Sequence, residues 1–135
     1  MSKLSAEEIE EELKSSVAAI ENVTGQKVKL FRPPFGDYDD KVITVAENLG
    51  LYTIQWNVDS LDWKNLSAEQ IAARVIKKAG SGAIILMHNN GLHTAESLPL
   101  IFTATQQKGL VYRPISELIY TDDFRITPDG TQIKN

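Results

Sequence analysis

Three short polar clusters each close an apolar, strand-like run: Arg32-Pro33-Pro34-Phe35-Gly36, Asp59-Ser60-Leu61-Asp62-Trp63 and Leu86-Met87-His88-Asn89. Between them they supply a guanidinium, a carboxylate and an imidazole. These groups can respectively grip a carboxylate at two points, hold a ring in one tautomer, and deliver a proton. Parallel α/β folds build their sites at the carboxyl ends of strands, so clusters in these positions can converge on one pocket. No metal-ligand set is expected in the chain. It has two His, His88 and His93, and no Cys. Asp37, Asp39 and Asp40 lack the alternating spacing and trailing Glu of a calcium loop and read better as helix caps.

Each cluster also has a plainer reading. Pro33 and Pro34 fix two φ angles and Gly36 permits a conformation other residues resist, so the loop is a stiff platform for Arg32. It could equally be a strand-ending turn with Arg32 in a structural ion pair. Trp63 could belong to the core. An Asp beside it at a strand end is harder to explain by packing, because a buried carboxylate needs a partner. A His after five apolar residues is, alone, more often a hydrogen-bonded core residue than a catalyst. A carboxylate paired with it changes that balance, since the pair fixes the tautomer and stabilises the imidazolium. His93, five residues on, reads as a surface or substrate-loop residue.

The elements that must position these groups follow a repeating pattern. Ser5 and Glu8 form a capping box, and Ile9, Leu13, Val17 and Ile20 lay one apolar stripe on an otherwise acidic helix. Gly25 ends it, and Val28 to Phe31 reads as a strand. Asp37 or Asp39 caps a second helix through Val42, Val45, Ala46 and Leu49, closed by Gly50, and Leu51 to Val58 is the next strand. Ser67 and Gln70 form another capping box, with Ile71, Val75 and Ala79 before Gly80. Ala83 to Met87 is a continuous apolar run, the pattern of a strand buried on both faces. Thr94 caps a fourth helix through Leu98, Ile101 and Phe102, ended by Gly109, and Leu110 to Ile115 makes a fourth strand. Four helix–strand units in series predict a parallel sheet with right-handed crossovers. Phe124 to Thr127 and Thr131 to Lys134, around Pro128-Asp129-Gly130, predict a small antiparallel hairpin.

Length and composition bound the function. A chain of 135 residues, 42% hydrophobic and 24% charged, is expected to fold as one domain, residues 1–135. A net charge of −4 without a basic stripe argues against nucleic acid as a partner. The absence of Cys excludes disulfides, thiol catalysis and zinc–thiolate sites. No apolar run approaches the ~20 residues of a membrane helix. Met1 to Glu8 has no apolar h-region, so no signal peptide is expected.

Taken together, the three clusters resemble the third, fourth and fifth motifs of the polysaccharide deacetylase superfamily, the NodB homology domain of carbohydrate esterase family 4. The resemblance spans roughly residues 1 to 120, with Leu4 to Ile9 similar to the helix after the second motif. It implies an α/β fold, an incomplete (β/α) barrel of about four αβ units with parallel strands plus a C-terminal hairpin. It implies hydrolysis of N-acetyl groups on a peptidoglycan- or chitin-like polysaccharide. His88 would be the general acid that protonates the departing amine, with Asp62 paired to it. Arg32 would orient the catalytic base, and the Phe35 backbone N–H would help hold the oxyanion. Trp63 and Leu86 would line the pocket for the acetyl methyl. Two positions depart from the family pattern: Phe35 where Tyr is frequent, and Asn89 where Asp commonly follows the His.

The larger departure is that the first two motifs have no counterpart here. In the family they carry the base Asp and the ligands of a divalent metal such as zinc, which polarises the carbonyl and activates water. The chain is therefore expected to be the C-terminal part of a catalytic domain whose N-terminal, metal-binding part is absent. It should hold no catalytic metal and be inactive by itself. A full-length member would act outside the cell or in the envelope. The alternative is a non-catalytic glycan-binding or scaffold α/β domain; a flavodoxin-like or phosphate-binding domain is disfavoured by the lack of a Gly-rich strand–helix loop. Four units cannot close a barrel, and unpaired sheet edges are expected to favour self-association.

Overall fold

Helix α1, Ala6–Thr24, starts as its capping box dictates. Ser5 Oγ accepts the Glu8 N–H and the Glu8 carboxylate accepts the Ser5 N–H. A computed structural model describes residues 1–127 and 129–135 and divides the chain into two compact units, 1–55 and 56–135. In the first unit, α1 is followed by β1, Leu30–Phe31, α2, Asp40–Asn48, and β2, Tyr52–Thr53. Asp39, not Asp37, caps α2, its carboxylate accepting the Val42 N–H at 2.9 Å. Strands β1 and β2 pair in parallel, Leu30 opposite Tyr52. The core behind them is Ile9, Leu13, Val42, Ala46 and Leu51. The predicted stripe on α1 thus buries its first half, while Ile20, near the helix end, is exposed.

The second unit contains β3, Val58–Asp59, α3, Ala68–Lys78, β4, Ile85–Leu86, α4, Thr94–Gln107, α5, Ile115–Leu118, and a hairpin of β5, Phe124–Ile126, and β6, Gln132–Lys134. Strands β3 and β4 pair in parallel, with Val58 opposite Ile85 and Asp59 opposite Leu86. The Ser67–Gln70 capping box starts α3 as expected. Its buried face, Ile71, Ala72 and Val75, meets Val58 and Ile101 of α4 in one cluster. The hairpin forms where the turn sequence places it, Arg125 opposite Ile133, although Pro128 lies outside the described residues.

Three expectations fail locally. The strand expected over Leu51 to Val58 is two short ones, each paired with a different partner. Between them Asn57 turns its side chain to the backbone, its Oδ1 accepting the Ile84 N–H at 2.8 Å. That is the competition with ladder bonds that makes Asn a poor strand residue. Ala83 to Met87 is only half-buried, because β4 has a strand neighbour on one side alone among the described residues. Leu110 to Ile115 forms no strand: Pro114 removes a donor, restrains Arg113 and opens α5 instead. Tyr112 there bonds the buried Thr105 hydroxyl at 2.8 Å and stacks edge-on against Phe102. No described helix is long and apolar enough to cross a membrane.

Because Ile71 is fully buried at the contact of α3 with α4, Ile71→Ala should destabilise the second unit by about 2–5 kcal/mol in urea denaturation. A loss below about 1 kcal/mol, the size of a mere Ile→Val trimming, would show that this cluster is not its core.

Candidate active site

The turn after β3 aims a carboxylate into the protein. Asp59 Oδ1 accepts the Leu61 N–H at 2.9 Å and Ser60 Oγ accepts the Asp62 N–H at 3.3 Å, local bonds that fold the chain back on itself. A 3-10 turn, Asp62–Lys64, follows, flanked by Leu61 at φ 52° and Asn65 at φ 54°. Asn tolerates the left-handed region; Leu does so at a cost of about 1–2 kcal/mol. The result is that Asp62 is completely buried while the next residue, Trp63, stays half exposed with the Lys64 ammonium 5.0 Å from its ring.

At the end of β4 the chain brings His88 against that carboxylate. His88 Nδ1 lies 2.7 Å from Asp62 Oδ1, and the His88 backbone N–H donates to Oδ2 at 2.7 Å. A third donor comes from the first residue of α4, the Thr94 hydroxyl, also 2.7 Å from Oδ2. Burial alone would raise the Asp62 pKa, but these bonds overcome it. The His88 N–H, the Thr94 hydroxyl, the His88 ring and the Ser60 hydroxyl together hold it down at about 2. Asp62 is therefore an acceptor only, so Nδ1 of His88 must carry the hydrogen between them. The ring's other nitrogen, Nε2, is left to exchange a proton, and the side chain is 34% exposed, enough to meet a ligand.

The sequence places Asp62 and His88 correctly as partners. Leu86, half-buried in β4, lies two residues before His88, and Trp63 adjoins Asp62. Arg32 and Phe35 belong to the first unit. Arg32 follows β1 directly and is exposed, with Pro33 buried behind it. Phe35 has a fully exposed ring and φ 58° within a 3-10 turn, Pro34–Gly36, whose Gly36 carbonyl accepts the Gln55 side-chain amide. Thr94 is the residue that sequence reading misassigned. It does not cap α4; the N-cap position is His93, without a side-chain cap bond, and Thr94 spends its hydroxyl on Asp62. His93 pairs with Glu96 at 2.8 Å.

The donor set does not suit a divalent metal. Among the described residues no three His, Asp or Glu groups come together around one point. Both oxygens of Asp62, Nδ1 of His88 and Nδ1 of His93 are already engaged.

Comparison with known proteins gives this chain its family. The polysaccharide deacetylase family model matches residues 1–54. An uncharacterized Bacillus subtilis protein, YlxY, is 37% identical over 119 residues, which is 88% of this chain and 37% of that protein. The peptidoglycan-N-acetylglucosamine deacetylase PgdA of Listeria monocytogenes is 35% identical over 118 residues, 87% of this chain and 25% of PgdA. A solved CE4 family pseudoenzyme from Bacillus anthracis superposes with a TM-score of 0.83 at 37% identity, covering 87% of this chain and 42% of its own. A mutant of it with restored enzymatic activity matches at 0.84. The chain belongs to the polysaccharide deacetylase superfamily, and its α/β fold is that of these carbohydrate esterase domains. It spans 37% and 25% of the length of the two curated relatives.

The depressed acidity of Asp62 predicts a pH window for stability. Its folded pKa of about 2 lies below the ordinary 3.8, so its contribution is complete above about pH 4 and disappears as pH falls toward 2. Asp62→Asn should therefore lower the unfolding free energy at pH 7, with a gap from wild type that closes between about pH 4 and 2. A gap that stays constant down to pH 2 in acid titration of stability would contradict an ionised, bonded Asp62.

Proposed function

We propose that this chain carries the proton-donating part of a polysaccharide N-deacetylase centre acting on acetamido groups of a peptidoglycan- or chitin-like glycan. Hydrolysis adds water across the C–N bond: the hydroxyl joins the acyl carbon, and the nitrogen departs as a free amine only after taking a proton. The Asp62–His88 pair is the observation that carries the reading, a buried carboxylate holding Nδ1–H on a ring whose side chain is 34% exposed, with Nε2 left for proton transfer. In this reading Trp63 and Leu86 line the space for the acetyl methyl. For the first unit taken by itself, the family resemblance would give Arg32 the task of orienting the base and the Phe35 N–H, its backbone turned by the positive φ, that of receiving the oxyanion. The relatives named as peptidoglycan deacetylases support that substrate class and action at the cell envelope.

The base and the divalent metal would come from sequence outside these 135 residues. The chain's match to only part of its relatives supports this. By itself the chain should bind glycan without turning it over, and the unpaired edges of its two-stranded sheets are where a second copy would pair. A second reading, a glycan-binding domain without catalysis in any setting, draws on the likeness to the pseudoenzyme.

Titration of the ¹⁵N-labelled chain with an N-acetylglucosamine oligosaccharide should shift the Trp63, Leu86 and His88 resonances, with no acetate released. Absent shifts at all three would overturn glycan binding, and acetate release would overturn the dependence on further sequence. In a longer zinc-supplied polypeptide, His88→Ala should lower kcat by roughly 10²–10⁴-fold. No acetate release from that polypeptide with His88 intact would favour the non-catalytic reading.

A further inference from the structure

The Asp62 carboxylate is held asymmetrically. Oδ2 takes two bonds, from the His88 N–H and the Thr94 hydroxyl, while Oδ1 takes the His88 ring, each at 2.7 Å, and the Ser60 hydroxyl acts on the same carboxylate. Two of the three donors at 2.7 Å belong to His88 itself. Were they the only ones, each oxygen would carry one bond, and the carboxylate could tilt or exchange its oxygens at little cost. The hydroxyl of Thr94 breaks that equivalence. Turning the carboxylate away from the ring would then disrupt both bonds to Oδ2, at a residue with no solvent-exposed surface.

Thr94 is well placed for such a task and poorly explained by any other. As the first residue of α4 it could turn its hydroxyl to nearby backbone, as Ser97 does to the Thr94 carbonyl and Thr105 to the Ile101 carbonyl. Instead it reaches 32 residues back along the sequence to Asp62. Its β-branched side chain is stiff about χ1, so the hydroxyl direction is set by the helix start. That start is anchored by the buried Ser97 and by Ile101 in the core cluster.

Gly91 makes the approach sterically feasible. A Cβ at that position would collide with Thr94 Oγ1 and lie 3.2 Å from both Asp62 O and Asp62 Oδ2. This glycine is required for close packing and not for an unusual φ. We propose that Thr94 is a positioning residue for the Asp62–His88 pair, fixing which carboxylate oxygen faces the imidazole, and that Gly91 keeps open the space its hydroxyl occupies. The inference concerns the pair alone and does not require amide hydrolysis by this chain.

The test is therefore read without turnover, from the His88 ring N–H by proton NMR of the ¹⁵N-labelled full chain, with His93→Gln used for assignment. Wild type should show one protected Nδ1–H signal and a single tautomer. In Thr94→Val the proton should exchange with water roughly 5- to 10-fold faster, the scale of one lost hydrogen bond, and Thr94→Ser should restore protection. Wild-type protection in Thr94→Val, or loss in Thr94→Ser equal to that in Thr94→Val, would overturn the proposal. Should Val at this position prevent folding, Gly91→Ala decides the question in two backgrounds. Its loss of protection should be smaller when combined with Thr94→Ala than in wild type, because the colliding hydroxyl is gone. Equal losses in both backgrounds would overturn the role given to Gly91.

Discussion

A carboxylate with no access to water must be neutral or fully bonded, and Asp62 meets the second condition. Much of the local architecture of residues 56–135 serves that requirement. The ring and the backbone N–H of His88 come from the end of β4, the hydroxyl from the start of α4, and the carboxylate from the turn after β3. Each segment is short and irregular, yet each is tied to a regular element packed in the same cluster of Val58, Ile71, Val75 and Ile101. Losing any one donor would leave a buried charge short of a partner, which costs more than the bond itself contributes.

The backbone shows where this geometry is forced. Leu61 lies in the left-handed region immediately before Asp62, and Asn65 does so just after the same turn. A branched apolar side chain there stores strain that the surrounding bonds must offset. What that strain accomplishes is separation between adjacent residues: Asp62 is buried and Trp63 is left half exposed. The imidazole spans two environments, with Nδ1 bonded to the buried carboxylate and the side chain as a whole 34% exposed.

The sequence was most readable where a local rule decides the outcome. Both capping boxes depend on residues three apart and formed as written. The Asp62–His88 pairing followed from the unlikelihood of an unpartnered acid at a strand end. It failed where partners distant in sequence decide. The break near Asn57 depends on which strand each half of Leu51 to Val58 finds, and periodicity carries no such information. Thr94 looked like a helix cap because Ser and Thr usually are; only the approach of Asp62, 32 residues earlier, redirects its hydroxyl. A glycine three residues ahead of that Thr, in no predicted turn, was the one available hint. Leu110 to Ile115 had the apolar content of a strand, but Pro114 inside it should have outweighed composition.

Membership of the polysaccharide deacetylase superfamily gives the pair a chemical context, while the pair's existence is a physical claim that stands apart from it. A double-mutant cycle at pH 7, using Asp62→Asn, His88→Gln and both together, measures it most directly. If the ionised carboxylate and the ring are bonded in the interior, the two substitutions should be non-additive in unfolding free energy, with a coupling of about 1.5–3 kcal/mol. Additivity within about 0.5 kcal/mol would mean the two groups do not hold each other, and the account of the site would fail.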